Sequence, residues 1–389
     1  SQDSYKLGGS SFGQILNTIG DDAPTINNAE NFKTVFNTFQ ELIIDGKILA
    51  GHDVASGGLI TTLLELCFAD LDLGATLDLT GIGEADTIKL LFSENAGIVF
   101  QAKDSSVEKV LAKAGIEYFK IGSVSATPAL TIKNQGMEMG LNINSLRDTW
   151  FKTSYLLDRR QTANNLAKER YNNYKNQPLT YSFPSHFDGI LPAKGNTRPK
   201  AAILREKGSN SEREMANAMY LAGFDVKDVH MTDLISGRET LEDIQFIGAV
   251  GGFSNSDVLG SAKGWAGAFK YNEKANTALK NFFARPDTLS IGICNGCQLF
   301  MELELINPEH AEHGKMTFND SHKHESGFTS VIVQKNNSIM LSSLEGANLG
   351  VWISHGEGKF KLPMTKENYN IVANYGYEGY PANPNGSDF

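Results

Sequence analysis

Cysteine is scarce, with three among 389 residues, at Cys67, Cys294 and Cys297, and an odd number cannot all pair within one chain. That excludes a disulfide scaffold and makes a reducing, cytoplasmic setting the expectation. No stretch approaches the roughly 18 consecutive apolar residues of a membrane helix, so an integral helical membrane protein is excluded. The opening SQDSYKLGGSSF has neither the basic region nor the apolar core of a secretion signal. An excess of positive charge is missing too. The formal net charge is −10 and the pI about 5.4, and no concentrated basic segment offers itself to phosphate backbones. Neither nucleic acid nor a membrane is expected as a partner, and small-molecule chemistry is the better expectation. Internal repeats and low-complexity tracts are also absent.

What remains is ordinary globular composition, 41% apolar and 21% charged. The length exceeds one usual core and favours two domains. The chain opens without Met and stops at Phe389 just after the turn-rich YPANPNG, so a fragment of something longer is expected.

From Asn31 to Ile44 apolar residues recur at helical spacing, with Gly46 placed to stop the helix. Gly58 to Ala69 is apolar nearly all round, as in a helix buried on most sides. Strand-like runs at Ala75 to Leu79 and Gly97 to Ala102 precede a helix from Ser105 to Ala114 and strands near Tyr118 to Val124 and Ala129 to Ile132. This α+β unit is placed at residues 1–146. Residues 147–197 are polar, rich in Asn and then in Pro, and are expected to be a surface connector with one helix.

From Lys200 strand and helix alternate, the pattern of a mostly parallel, doubly wound, flavodoxin-like α/β sheet. Strands are expected at Ala201 to Arg205, Phe224 to His230, Phe246 to Val250 and Leu289 to Ile293. Helices are expected from Glu212 to Ala222, opened by a Ser211/Glu214 capping box, and from Gly267 to Phe283.

The run LSIGICNGCQLFMEL puts Cys294 between an apolar strand and a helix, with Gly292 and Gly296 allowing a sharp turn. Unpaired N–H groups at that helix start favour a thiolate. A base is offered by V-W-I-S-H-G-E-G. On an extended strand His355 and Glu357 share a face, so Glu357 is expected to orient the imidazole that takes the proton of Cys294. Gly252 and Asn295 are candidate oxyanion donors.

Alternative chemistry is thinner. Cys294-x-x-Cys297 could be half of a zinc site but lacks its other ligands. His310, His313, His322 and His324 are expected to be surface or loop residues. In His52-Asp53-Val54-Ala55-Ser56-Gly57-Gly58 a structural reading has Ser56 capping the next helix, while a functional one makes Asp53 a hard oxygen ligand for a magnesium-nucleotide complex. Glu94 reads as a loop carboxylate.

Taken together, Cys294-Asn-Gly-Cys-Gln298, Gly251-Gly-Phe-Ser254, Ser354-His-Gly-Glu-Gly358, Arg198-Pro-Lys200, Arg213-Glu-Met-Ala216, Gly264-Trp-Ala-Gly267 and Pro381-Ala-Asn-Pro-Asn-Gly386 resemble the glutaminase domain of the phosphoribosylformylglycinamidine synthase family. Leu7-Gly-Gly-Ser10, His52-Asp53 with Gly57-Gly-Leu59, and Leu91-Phe92 with Glu94 and Gly97 look like the last synthetase lobe of the same family, of the aminoimidazole ribonucleotide synthetase type. Leu146-Arg-Asp148, Trp150 and Thr153-Ser-Tyr155 match the connector. The resemblance implies the long single-chain form, with residues 198–389 as a class I amidotransferase domain cut short before the family's final histidine-proline segment.

It implies use of glutamine, ATP and formylglycinamide ribonucleotide in purine biosynthesis, with the earlier synthetase domains of the same polypeptide as partner. It makes Cys294, His355 and Glu357 the triad and puts Gln298 at the glutamine substrate. ATP and magnesium belong to the full-length enzyme, and the glutaminase step needs no cofactor. In the first lobe Asp53 would be a magnesium ligand and Ala55 a nucleotide contact. The family often carries Ser and Asp where this chain has Ala55 and Ser56, so that nucleotide site would be weaker or bound through backbone. The segment Asn319 to Gly327 also departs from the usual arginine-bearing version. A non-catalytic glutamine-sensing or partner-binding module and a Cys-dependent peptidase are the competing readings; the intact Cys, His and Glu argue against the first.

Overall fold

Two different rhythms of helix and strand divide the chain. The computed structural model describes residues 5–176, 180–190, 195 and 197–389, in two compact units that part after Ser154. The connector residues 177–179, 191–194 and 196 lie outside the described residues.

The first unit runs through α1 (Ser11–Ile15), α2 (Ala29–Ile44), β1 (Ile48–Asp53), α3 (Gly58–Cys67), β2 (Gly74–Asp78), α4 (Thr87–Phe92), β3 (Ile98–Ala102), α5 (Ser106–Lys113), β4 (Gly122–Ser125), β5 (Ala129–Asn134), β6 (Met137–Asn142) and α6 (Ile143–Asp158). Strands β4-β2-β5-β6 form one mixed sheet, and β1 pairs antiparallel with β3. Leu79, Leu90, Leu91, Leu130, Ile132 and Ile143 are buried between the sheet and its helices, the apolar burial that holds such a layer together.

The start of α3 departs from expectation. Gly57, at φ +89°, is its N-cap, and Ser56 makes no cap. Glu94 does this work instead, its Oε1 accepting the N–H of Gly57 and of Ser11, each at 2.8 Å. A buried helix end needs some such acceptor, and a carboxylate from a neighbouring loop also suits the positive end of the dipole.

The second unit opens on the last residues of α6 and continues into α7 (Leu166–Asn173), so the connector region 147–197 holds most of α6 and all of α7 rather than one helix. Then follow β7 (Lys200–Arg205), α8 (Glu212–Leu221), β8 (Asp225–His230), α9 (Met231–Ser236), β9 (Phe246–Ala249), α10 (Lys263–Lys270), α11 (Glu273–Ala284), β10 (Leu289–Gly292) and α12 (Asn295–Glu302). The last stretch is β11 (Lys315–Thr317), β12 (Glu325–Val333), β13 (Asn348–His355), β14 (Lys359–Lys361) and β15 (Ala373–Tyr375).

Strands β10-β9-β7-β8 make a fully parallel sheet. Ala201 to Leu204 and Ile247 are buried, as strands covered on both faces must be. Two details differ from the sequence reading. The helix expected over Gly267 to Phe283 is broken at Asn272, whose side chain accepts the Ala275 N–H and starts α11 afresh. Ser211 sits in left-handed backbone and makes no capping box; that motif forms at His230 and Asp233 instead. Beyond α12 the pattern turns antiparallel, with a second sheet ordered β13-β12-β15.

Candidate active site

Cys294 occupies the joint between β10 and α12 at φ 54°, ψ −111°. A non-glycine residue in such backbone costs of order 1–3 kcal/mol and persists only where its surroundings enforce it. The enforcement is visible in the flanking glycines. A Cβ on Gly292 would lie 2.7 Å from Gly296 O, and one on Gly296 would lie 2.1 Å from Ala249 O. The chain can therefore reverse from strand to helix only with both positions bare.

The Cys294 side chain is exposed. Cys297, one turn on, is not: burial, with the neighbouring Cys294 charge adding, pushes its thiol up to about 12. Cys297 therefore stays a thiol, and a thiolate-bound metal here is disfavoured. Among the described residues no group of three or more His, Cys, Asp or Glu side chains could hold a metal ion.

A cleft of about 420 Å³ opens over Cys294 and is walled by Gly252, Gln298, His324, His355 and Glu357 among others. The sulfur meets the end of β13, where Sγ approaches the carbonyl of Ser354 at 3.6 Å. The nucleophile thus comes from the parallel sheet and the histidine from the antiparallel one.

Asn295, fully buried, accepts the Ser254 N–H at 3.1 Å and donates to Gln298 Oε1 at 2.7 Å. Gln298 in turn donates to the carbonyl of Glu357 at 2.9 Å. This chain of amides ties the elbow helix to both loops of the cleft, and it engages the Gln298 amide in bracing the wall. Gly252, at φ +108°, lies in an isolated bridge to Ser209. The bonds of that bridge use the amides of Asn210 and Phe253, leaving the Gly252 N–H outside them.

Glu357 does not stand where strand alternation puts it. β13 ends at His355, the chain bends through Gly356 and Glu357, and the two-residue period no longer applies. The Glu357 carboxylate instead accepts from the backbone N–H and the hydroxyl of Ser261. It also faces Gly260, where a Cβ would come within 3.0 Å of Oε1. Ser261 closes a loop in which Asn255, Ser256, Asp257, Ser261 and Ala262 all have positive φ. Asp257, on the same loop and in the cleft wall, is held above the usual carboxylate range by burial, with the Glu357 charge adding.

The imidazole of His355 is held by Asn319, whose Oδ1 lies 3.1 Å from Nδ1. Its Nε2 is buried without a partner. Burial lowers its pKa against a hydrogen bond to its own backbone that raises it; the nearby His324 lowers it further and Glu325 raises it. His324 is, as expected, an exposed loop residue, just before β12, and it also lines the cleft with Nε2 3.0 Å from Ser354 Oγ. Asn319, His324 and Asp257 are the site residues the sequence reading did not single out. The unusual segment Asn319 to Gly327 was the one signal pointing to two of them.

In the first unit Asp53 ends β1 with its side chain 77% exposed, 3.5 Å from His52 Nδ1. Ala55 is exposed as well. The helix start beside them has one of its N–H donors, that of Gly57, already bound by Glu94.

Comparison with known proteins matches these two halves to separate domains. Residues 198–389 match the CobB/CobQ-like glutamine amidotransferase domain, and residues 4–133 match the AIR synthase related protein C-terminal domain. The probable phosphoribosylformylglycinamidine synthase of Arabidopsis thaliana, named as chloroplastic/mitochondrial, is 36% identical and covers 98% of this chain, which spans 29% of it. The probable enzyme of that name from Caenorhabditis elegans is 37% identical over 100% of this chain and 32% of its own length. The human phosphoribosylformylglycinamidine synthase is 35% identical over 98% of this chain and 31% of its own length. The chain therefore spans about a third of the length of these relatives. Among the described residues no helix is long and apolar enough to cross a membrane.

Proposed function

Because the chain belongs to the phosphoribosylformylglycinamidine synthase family along its length while spanning about a third of those proteins, we propose that its second unit hydrolyses glutamine and hands the ammonia to the synthetase portion of the same polypeptide. The observation that carries this reading is the positive-φ elbow at Cys294, opening onto the cleft that also holds His355.

Cys294 Sγ attacks the side-chain carboxamide carbon of glutamine as its proton passes to His355 Nε2. The carbonyl electron pair moves onto oxygen, where the N–H groups of Gly252 and Asn295 receive it. Collapse restores the carbonyl and breaks the C–N bond, and the imidazolium gives its proton to the departing nitrogen. Ammonia leaves and a γ-glutamyl thioester remains. Water, deprotonated by His355, attacks the thioester; the C–S bond breaks, the sulfur regains a proton, and glutamate is released. Glu357 is the carboxylate of this set, and its hydrogen bonds to Ser261 fix the loop beside the cleft. No metal or cofactor enters the step.

For the whole polypeptide the proposed reaction is the ATP-dependent conversion of formylglycinamide ribonucleotide to formylglycinamidine ribonucleotide, with ADP and phosphate formed. Magnesium belongs to that half. The open carboxylate of Asp53 suits a magnesium ion carried on nucleotide phosphate, since such ions take one or two carboxylates and keep several waters. Ala55 offers only backbone. A cytoplasmic setting is proposed from the three free cysteines.

Treatment with 6-diazo-5-oxo-norleucine should label Cys294 alone, and Cys294→Ala should abolish glutamate release while leaving the fold intact. Glutamate release unchanged in that variant would remove Cys294 from the mechanism.

A further inference from the structure

Asn319 is fully buried and bonds through both ends of its amide. Its Nδ2 donates to the carbonyls of Lys323 at 2.9 Å and His355 at 2.7 Å. Its Oδ1 accepts the Gly358 N–H at 3.0 Å and faces His355 Nδ1 at 3.1 Å. These partners settle which end is which. A backbone N–H can only donate and a carbonyl can only accept, so the oxygen must face Gly358 and the nitrogen the two carbonyls.

The consequence falls on the histidine. An amide oxygen has no proton to give, so the Nδ1 beside it must carry one. The other ring nitrogen, Nε2, then bears the lone pair, and it is the atom left without a partner. The turn packs against the ring as well, since a Cβ on Gly358 would lie 2.5 Å from His355 Nδ1. The Glu357 carboxylate meanwhile binds Ser261.

We propose that Asn319, rather than Glu357, is the positioning residue for His355: it fixes the Nδ1–H tautomer and presents a bare Nε2 as the base. The inference rests on the glutaminase reading for its catalytic consequence, though not for the tautomer itself. The division of labour gives Glu357 the Ser261 loop and gives the imidazole to Asn319.

Nitrogen-15 spectra of the histidine-labelled protein test this directly. His355 in the unaltered chain should show a protonated Nδ1 and an unprotonated Nε2. Asn319→Ala should lose that preference and lower kcat for glutamate release about 100-fold with KM little changed, the scale on which a correctly presented base contributes. Glu357→Gln should leave both nitrogen signals in place. Should Asn319→Ala not fold, Gly358→Ala disturbs the same ring from the other side and should shift the same signals. A protonated Nε2 in the unaltered chain, or a tautomer switched by Glu357→Gln, overturns the proposal. An Asn319-dependent tautomer in a protein that never releases glutamate would instead sink the glutaminase reading and leave the positioning role standing.

Discussion

Glu325 lies directly across the β12–β13 ladder from His355, and its carboxylate, almost wholly buried, is gripped from behind by Arg170 at 2.7 Å and by the Tyr380 hydroxyl at 2.7 Å. Directly opposed residues on neighbouring strands share a face and interact. Arg170 belongs to α7, so a charge from the connector region is relayed to within one strand spacing of the base. The same Arg170 holds Asp158 at 2.7 Å, which Lys323 and Thr162 also bind.

The pH dependence of glutamine hydrolysis should report this setting. Burial, with His324 adding, outweighs a hydrogen bond to the residue's own backbone and the charge of Glu325, leaving the His355 pKa below the ordinary histidine value. Its imidazole is therefore neutral near pH 7, and the acid limb of kcat/KM should fall below that value. His324→Gln removes a like charge and should move the limb to higher pH. Glu325→Gln removes the one stabilising charge and should move it lower. Shifts in the reverse directions would exclude His355 as the titrating base.

Arg170→Ala should destabilise the second unit by about 3–5 kcal/mol, the usual result of stranding buried charge. Glu325, only 3% exposed, would lose Arg170 and keep the Tyr380 hydroxyl, while Asp158, 12% exposed, would still be held by Lys323 and Thr162. Denaturant titration checks this, with the midpoint falling and the slope unchanged. Acid should expose the same network. Burial alone would raise the Asp158 pKa, but Lys323, Thr162 and Arg170 outweigh it and the net value is lowered. That contribution is present above the unfolded-state carboxylate pKa and is lost as pH falls through the folded one.

Gly296→Ala should cost about 1–3 kcal/mol in stability through overpacking, because the added methyl would press on Ala249 O at the end of β9. Glutaminase activity should fall further than stability does, since the displaced residue sits two positions from Cys294. Thermal unfolding and glutamate release on one preparation separate the two effects. A variant as stable and active as the parent would mean the elbow tolerates a Cβ.

The elbow and the parallel sheet were legible because local signals and tertiary structure agree there. Strand β10, the spaced glycines and α12 are contiguous in sequence, and Ala201 to Leu204 reads as an unbroken apolar run. The hydrogen bonds of Glu357 to Ser261 were not legible, because a face-sharing rule for strands was carried two residues past the end of β13. Asn319 escaped for another reason. Its partners are backbone groups of residues 323, 355 and 358 together with one ring nitrogen, and no spacing pattern encodes the contacts to 355 and 358, made across more than thirty residues. Strand β1 was hidden by the polar pair His52-Asp53 at its end, and Ser56 looked like a cap only because Glu94, which does that work, lies far away in sequence.

Cys294 and His355 hang from separate sheets, joined near the cleft by the Gln298 amide and the approach of sulfur to Ser354. The alignment of thiol and imidazole is therefore set by how the two sheets pack on each other, and the ladder bonds within either sheet carry no information about it.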